Sequence, residues 1–459
     1  MNKLKNSVVL ILLAFQFFAV QAQNDWNYVF EGKKVKEFEK LGGDATYKIE
    51  GRDLYGTVVL GSSNTFLATK EKYGDFVLEY EVFMDSDMNS GVQIRSLSNA
   101  DYRDGRVHGY QVEIDPSARG YTGGIYDEAR RLWLYPLSRN EKARKAFQFA
   151  KWNTFHVEAI GNEINTWVNG VHCSRLVDDL TASGFVAFQV HGTKNKELEG
   201  KKVIWKDAKI VTKNLQNYTW ERDPDVAEIS YLHNTLTEWE KNLGWQLLWD
   251  GKTSKGWRGA KLDHFPESGW DMKNGELSVQ ATDGGESTGP GDIITEKQYG
   301  NFELVLEFKL SEGANSGLKY FVDPGLNKGK GSAIGCEFQL LDDKVHPDAK
   351  MGVAGNRTLG GLYDLITPEN LSVEGRNKTF KGVDQWNQLR VVSINGHVEH
   401  WLNNEKVVEY DRFSQMFRSL VAFSKYKDWE KFGQWRQGHI LLQDHGNAVS
   451  FKNIKIREL

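Results

Sequence analysis

Residues 73–96 read YGDFVLEYEVFMDSDMNSGVQIRS, and residues 299–322 read YGNFELVLEFKLSEGANSGLKYFV. Each segment holds an alternating apolar–polar run, a short loop, the tripeptide Asn-Ser-Gly and a second alternating run. The likeness continues in order along the chain. HGYQVEID from His108 answers IGCEFQLLDD from Ile334, and GGIYDE from Gly123 answers GGLYDLI from Gly360. KWNTFHVEAIGNEINTWVNG from Lys151 answers QWNQLRVVSINGHVEHWLNN from Gln385. FQVHG from Phe188 answers LQDHG from Leu442, and the units close on VIWKDAKI from Val203 and VSFKNIKI from Val449. Matched blocks in one order mean an internal duplication.

Within each unit, short Val/Ile/Phe/Tyr/Trp-rich runs alternate with period two. They are broken by Gly, Asn and Asp turns such as Val168-Asn169-Gly170 and Ile394-Asn395-Gly396. Many short strands without strong helical patterning predict an all-β chain of two tandem jelly-roll sandwiches. The expected organisation is a leader over 1–22, a first sandwich over 23–215, a linker over 216–242 and a second sandwich over 243–459. The stretch DPDVAEISYLHNTLTEWEKN, within 217–242, is charged and helix-compatible and reads as a partly helical linker.

The first residues read as an export signal. Lys3 and Lys5 precede an apolar run from Val8 to Val20, and Ala19-Val20-Gln21-Ala22 supplies small residues for cleavage near Ala22. That run is short for a bilayer span, and no later stretch resembles a transmembrane segment. A periplasmic or secreted location is expected. The net charge of -4, with both signs mixed, leaves no footprint for nucleic acid. Two cysteines, Cys173 and Cys336, exclude a disulfide scaffold and thiolate–metal spacings. Fifteen Trp fit sandwich cores, with some rings free to stack on sugars.

Strand parity points to the site, because successive side chains face opposite sides. In 90–96, Val92 and Ile94 oppose Gln93 and Arg95. In 110–115, Tyr110, Val112 and Ile114 oppose Gln111, Glu113 and Asp115. In 185–192, Val186, Phe188 and Val190 oppose Gln189 and His191. The second unit repeats this with Glu337, Gln339, Gln443 and His445; Lys319 stands at the place of Gln93 and Phe321 at that of Arg95. Asp342, Asp343, His346 and Arg357 follow. Faces rich in Gln, Arg, His and carboxylate read as a lined cleft for a neutral polyol, since amides and carboxylates pair with hydroxyls and carboxylate or His moves protons. The alternative is a solvated outer sheet. No cofactor motif is present. A divalent metal could be held by Asp342, Asp343 and His346, although such a run in a loop is more often a turn with solvated carboxylates.

No dinucleotide or phosphate loop occurs. Glu113-Ile114-Asp115 starts like the catalytic strand of laminarinase-like glycosidases, but Pro116-Ser117 follow where that strand carries another Glu, so a two-carboxylate retaining mechanism is poorly supported.

The runs NSGVQIR, GYQVEID, GGIYDEARRLWL, KWN, VNG and FQVHG resemble the 3-keto-disaccharide hydrolase domain family. NSGLKYF, GCEFQLLDD, HPDA, RTLGGLYDLI, QWN and LLQDHG resemble it a second time. The resemblance implies a concanavalin A-like jelly roll and chemistry on sugars oxidised at C3. There a base removes the acidified C2 proton and the C1 aglycone leaves, with water adding afterwards. It also implies site residues: Glu337, Asp342, His346, Tyr363 and His445 in the second unit, and Gln111, Glu113, Asp115, Tyr126, Asp127 and His191 in the first, with Arg95 as an added cation. In this reading Glu337 or Glu113 is the base. His445 or His191 donates to the leaving oxygen or polarises the ketone, while Gln339, Gln443, Gln111 and Gln189 hold hydroxyls. Phe321 stands where the family carries arginine, and Gln111 where it carries a carboxylate. A lectin-like binding protein and a glycosidase acting on unoxidised glycans are the other readings.

Overall fold

The computed structural model describes residues 25–282 and 291–459; the export signal read over 1–22 lies outside them. Among the described residues the chain forms two β-sandwiches in tandem. The first packs a nine-stranded back sheet on a seven-stranded front sheet, and the second packs eight strands on five.

Matched sequence blocks occupy matched places. In the back sheets, Phe76–Met84 lies between Asn153–Ile160 and Lys202–Val211, and Phe302–Leu310 lies between Asn387–Ile394 and Val449–Glu458. In the front sheets, Ser90–Leu97 lies between His108–Ile114 and Phe185–Val190, and Asn315–Asp323 lies between Ile334–Leu341 and Gly438–Leu442. Each Asn-Gly pair closes a two-residue hairpin that needs left-handed backbone at both positions: Asn169 and Gly170 at φ 50° and 78°, Asn395 and Gly396 at 52° and 91°.

The alternation becomes a division of environments. Val92, Ile94, Tyr110, Val112, Ile114, Phe188 and Val190 point between the first pair of sheets and join its main core. On the opposite face of that front sheet, Phe66, Ala68, Phe185 and Ala187 form a separate small cluster with Val107. The second sandwich has the same two-sided arrangement. Leu318, Tyr320, Phe338, Leu340, Ile440 and Leu442 lie in its core. Ala260, Ile294, Val322, Ala333 and Leu441 form the outer cluster.

The connecting segment is less helical than its charge pattern suggests. Helix is confined to Glu238–Asn242, where Thr237 Oγ1 accepts from Glu240 N and Glu240 Oε2 accepts from Thr237 N, 3.0 Å each. Upstream, Glu228–Ser230 pairs in parallel with Val171–Val177, and Val226, Ile229 and Tyr231 are buried in the first core. Burial of those apolar side chains outweighs helix propensity. The two sandwiches also touch directly. Tyr121 Oη donates to Glu405 Oε1 at 3.0 Å and Asn404 Nδ2 donates to Leu134 O at 3.4 Å, while Lys455 of the second sandwich bonds Glu240 of the connecting segment.

Candidate active site on the second front sheet

The side chains that parity turns away from the cores are not washed by water. Gln93, Gln111, Glu113, Gln189, Lys319, Glu337, Gln339 and Gln443 are each 5% exposed or less. Loops therefore roof both outer faces, and polar groups buried this way must find partners.

The glycine of each Asn-Ser-Gly tripeptide makes room for the central polar side chain. A Cβ on Gly317 would stand 2.2 Å from Glu337 Oε1, and one on Gly91 would stand 2.4 Å from Gln111 Cδ. The serine ties the next strand: Ser316 Oγ donates to Gln443 O at 2.9 Å, and Ser90 Oγ donates to Gln189 O at 2.7 Å. The motif thus lays one side chain across the sheet at the same point of each unit. In the second unit that side chain is an acid.

Around Glu337 the groups differ in kind. Lys319 Nζ stands 3.6 Å from Glu337 Oε2 and also donates to Ser332 Oγ, which donates to the buried Asp292 carboxylate at 2.5 Å. Burial raises the Asp292 carboxyl above the ordinary range, against the pull of Lys319. The Gln339 amide, with its nitrogen toward the acid, donates to Glu337 Oε1 and Ser316 O at 3.2 Å. Tyr363 bonds Glu337 through the backbone, its N donating to Glu337 O at 3.0 Å. Its hydroxyl donates to Asp348 Oδ2 at 2.7 Å, and Lys425 Nζ lies 4.1 Å from its ring centre.

Two histidines stand close to this set. The rings of His346 and His445 are 6.1 Å apart and nearly perpendicular. His346 Nδ1 accepts from Asp348 N at 3.2 Å, in the turn that Pro347 starts. Burial first, and then the neighbouring His445, hold the His346 pKa below the ordinary imidazole value. A neutral ring with Nδ1 accepting carries its proton on Nε2, so His346 is a donor at neutral pH. His445 Nδ1 is buried without a protein partner.

The first front sheet carries a different set. Asn89 Nδ2 donates to Glu113 Oε1 at 2.5 Å, and Gln111 Nε2 donates to Glu113 Oε2 at 2.9 Å. Gln93 Nε2 donates to Gln111 Oε1, and Ser96 Oγ to Gln93 Oε1, both at 2.6 Å. Burial pushes the Glu113 pKa up to about 7, against those hydrogen bonds. Tyr126 lies opposite Gln111 in register, and His191 Nδ1 lies 2.8 Å from Gly192 O. Among the described residues no lysine bonds Glu113, and Asp115, two residues on, pairs with Arg119 at 2.7 Å.

Several expected site residues are elsewhere. Arg95 has φ 47° at a break in register, so it leaves the polar face and clamps Gly74 O, Gly161 O and Asp75. Phe321, at φ 54°, marks the same bulge in the second unit, and the Arg412 guanidinium lies 3.5 Å above its ring. The substitution at 321 therefore removes a corner clamp, not a cation from the cleft. Asp127 pairs with Tyr110 on the core side and is held by Arg130 and Arg131. Asp115 is taken by Arg119 and Ser117 N. Asp342 fastens a loop by accepting from Gly313 N and Lys344 N. Asp343 turns the other way, to Lys378 and Leu359 N, so Asp342, Asp343 and His346 do not converge on a cation. Arg357 braces the site from outside, bonding Asp348 and Asp364. The metal-compatible grouping found among the described residues is His397, Glu399 and Glu409, on the back sheet, where Lys406 already bonds both acids. Sequence reasoning overlooked Asp348, Asp292 and Lys425. Asp348 sits inside the HPDA run already noted, while nothing local marks the other two.

The profile of the 3-keto-alpha-glucoside-1,2-lyase-like domain matches residues 25–211 and again 244–457. A Bacteroides thetaiotaomicron protein, 3-keto-disaccharide hydrolase, is 34% identical over 238 residues, spanning 47% of this chain and 79% of that protein. Among solved structures, a Parabacteroides distasonis protein assigned as a glycosyl hydrolase is 30% identical. It covers 50% of this chain and 99% of its own, with a TM-score of 0.42. A second from that organism, assigned likewise, is 25% identical, covers 47% and 99%, and has a TM-score of 0.35. With both halves matched in register with the duplication, the chain belongs to the family of 3-keto-alpha-glucoside-1,2-lyase-like domains, a carbohydrate-active family that it carries in two copies.

Proposed function

We propose that the second sandwich cleaves 3-keto-glycosides by removing the C2 proton and eliminating the C1 aglycone. The observation that carries this is the buried Glu337–Lys319 pair, linked through Tyr363 and Asp348 to a neutral His346 whose ring faces His445. A ketone at C3 acidifies the C2 hydrogen, so one carboxylate suffices as base. Glu337 takes that proton, and the electron pair moves onto the C3 oxygen, where the Lys319 ammonium opposes the developing charge. The enolate re-forms the ketone as the C1–O bond breaks, leaving a C1=C2 double bond. The departing oxygen takes a proton from an imidazole, His346 Nε2 or His445. Once the aglycone has left, the proton on Glu337 exchanges with solvent; water then adds at C1 while Glu337 delivers a solvent-derived proton to C2, and the second proton of that water restores the imidazole. The sum is hydrolysis. Gln339 and Gln443 hold hydroxyls, and Tyr363 with Asp348 braces the ring from the side.

The 34% identical 3-keto-disaccharide hydrolase supports the choice of an oxidised disaccharide as substrate. The apolar leader over 1–22 supports an enzyme that meets its sugar outside the cytoplasm; among the described residues no helix is long and apolar enough to cross a membrane. The test is incubation with a glucoside and its 3-keto derivative in D2O. Cleavage of the ketone alone, with deuterium appearing at C2 of the product, is expected. Equal cleavage of the unoxidised glucoside, or product without deuterium at C2, overturns the reading.

A further inference from the structure

We infer that the junction between the two sandwiches holds a binding site for a small doubly charged oxyanion, of phosphate or sulfate type. The site is a pocket of about 320 Å³ on the second back sheet, closed over by Arg139 of the first unit and by the connecting segment. That volume suits a small ligand. Glu303, Arg390 and Arg457 form its floor. Strand register builds that floor. Leu304 and Leu306 point into the second core, so Glu303 and Val305 point out of it. Arg457 lies opposite Glu303 and Arg390 opposite Val305, which puts both guanidiniums on the same outer face.

The charges on this floor do not balance. One carboxylate, Glu303, serves three guanidiniums: Arg390 through Nε, Arg457 at 2.6 and 2.8 Å, and Arg139 at 3.7 Å. Two positive charges are left over. The other acids of the lining are committed or solvated: Glu240 is held by Lys455, Glu228 by Arg175, and Asp225 is exposed to water. A second observation is independent of this count. Arg390 Nη1 is buried without a hydrogen-bond partner among the described residues, on a side chain that lines the pocket. A buried donor left unpaired is costly. Burial first, and then the like charge of Arg139, push the Arg390 pKa down to about 10, as a crowded cation requires. Guanidinium forks present paired N–H groups that match two oxygens of one oxyanion. A dianion at this point satisfies the open donor and neutralises the surplus together, which neither a neutral ligand nor a cation does.

The inference goes beyond the proposed cleavage, concerns the sheet that does not carry Glu337, and is tested without turnover. Sodium phosphate, sodium sulfate and phenyl phosphate are titrated into the full-length protein by calorimetry, with ionic strength held constant by sodium chloride. Hydrogen exchange is followed over residues 224–230 and 238–245. Binding of phosphate or sulfate is expected, with protection of those segments and a rise in melting temperature. Arg139→Gln should weaken that binding about tenfold or more. Arg390→Lys, which keeps a charge but loses the fork, should also weaken it, and it decides the matter if Arg139→Gln lowers the melting temperature by itself. Phenyl phosphate binding more tightly than the inorganic ion assigns the site to a phosphate ester, and weaker binding assigns it to the free ion. No binding of phosphate or sulfate, an equal thermal shift with sodium chloride alone, or binding indifferent to both substitutions overturns the inference. Absence of turnover on 3-keto-glycosides would sink the cleavage proposal and leave this one standing.

Discussion

At the scale of single residues, two acids that look alike in the chain differ in what holds them. Glu337 is paired with a lysine and linked through Tyr363 and Asp348 to His346, whereas Glu113 accepts from two amides in a closed relay. Glu337→Gln should lower kcat on a 3-keto-glucoside by about 10²–10⁴, while Glu113→Gln should leave it within about threefold by the same argument; steady-state rates on both variants decide. Gly317→Ala forces a Cβ to within 2.2 Å of Glu337 Oε1. It should cost both activity and about 1–3 kcal/mol of stability, and Gly91→Ala only stability, as read by denaturant midpoints beside rates. The neutral form of His346 gives a pH dependence. Its pKa is depressed, so Nδ1 keeps accepting from Asp348 N down to pH values below 6.5, and only protonation below that breaks the contact that aims the ring and lowers activity. A kcat/KM profile flat from pH 7 to 6.5 with an acid limb below, abolished in His346→Gln, is expected; a limb centred above 6.5 contradicts it. Much of this was legible beforehand. Parity placed Gln93, Gln111, Glu113, Glu337 and Gln339 on one face because those residues lie in unbroken ladders. It failed at Arg95, since a bulge at φ 47° restarts the alternation and nothing in the local sequence announces it.

At the scale of elements, the two sheets of the second sandwich are tied by a buried histidine that stays neutral. His400, on His397–Leu402, lies between Tyr320 Oη at 2.6 Å and Gly360 O at 3.0 Å, and burial lowers its pKa from 6.5 to about 4. The unfolded chain binds that proton at higher pH than the folded one. Stability is therefore complete above about 6.5 and falls as pH drops toward 4, by roughly 3 kcal/mol for this group. Urea midpoints between pH 7 and 4 should show the loss, and His400→Leu should shrink it; an unchanged slope counts against the buried neutral ring. The strands themselves were readable because alternation and Asn-Gly turns are local signals. The segment within 217–242 was not: its charges suit a helix, but Ile229 and Tyr231 are drawn into the first core and Glu228–Ser230 becomes a strand.

At the scale of the whole molecule, the two sandwiches are joined by buried charges that no short stretch of sequence could reveal. Glu303, on the second back sheet, meets Arg139 of the first unit together with Arg390 and Arg457. Against the upward push of burial, the three guanidiniums draw its carboxyl down to about 2. Glu303→Ala would leave those cations unpaired at the junction, and a loss of about 3–5 kcal/mol is expected. Calorimetry should show one unfolding transition in the parent and an earlier, split transition in the variant; coincident traces would mean that the units fold independently of this contact. On the proposed reading the two copies divide in chemistry, the second carrying an acid paired with a lysine and the first an acid held by amides. The most direct measurement of that division is the rate of aglycone release from a 3-keto-disaccharide in D2O by the parent, Glu337→Gln and Glu113→Gln proteins. Catalysis by the second sandwich predicts deuterium at C2 and full turnover in the parent and Glu113→Gln, with neither in Glu337→Gln. Turnover that survives Glu337→Gln and disappears in Glu113→Gln would contradict it.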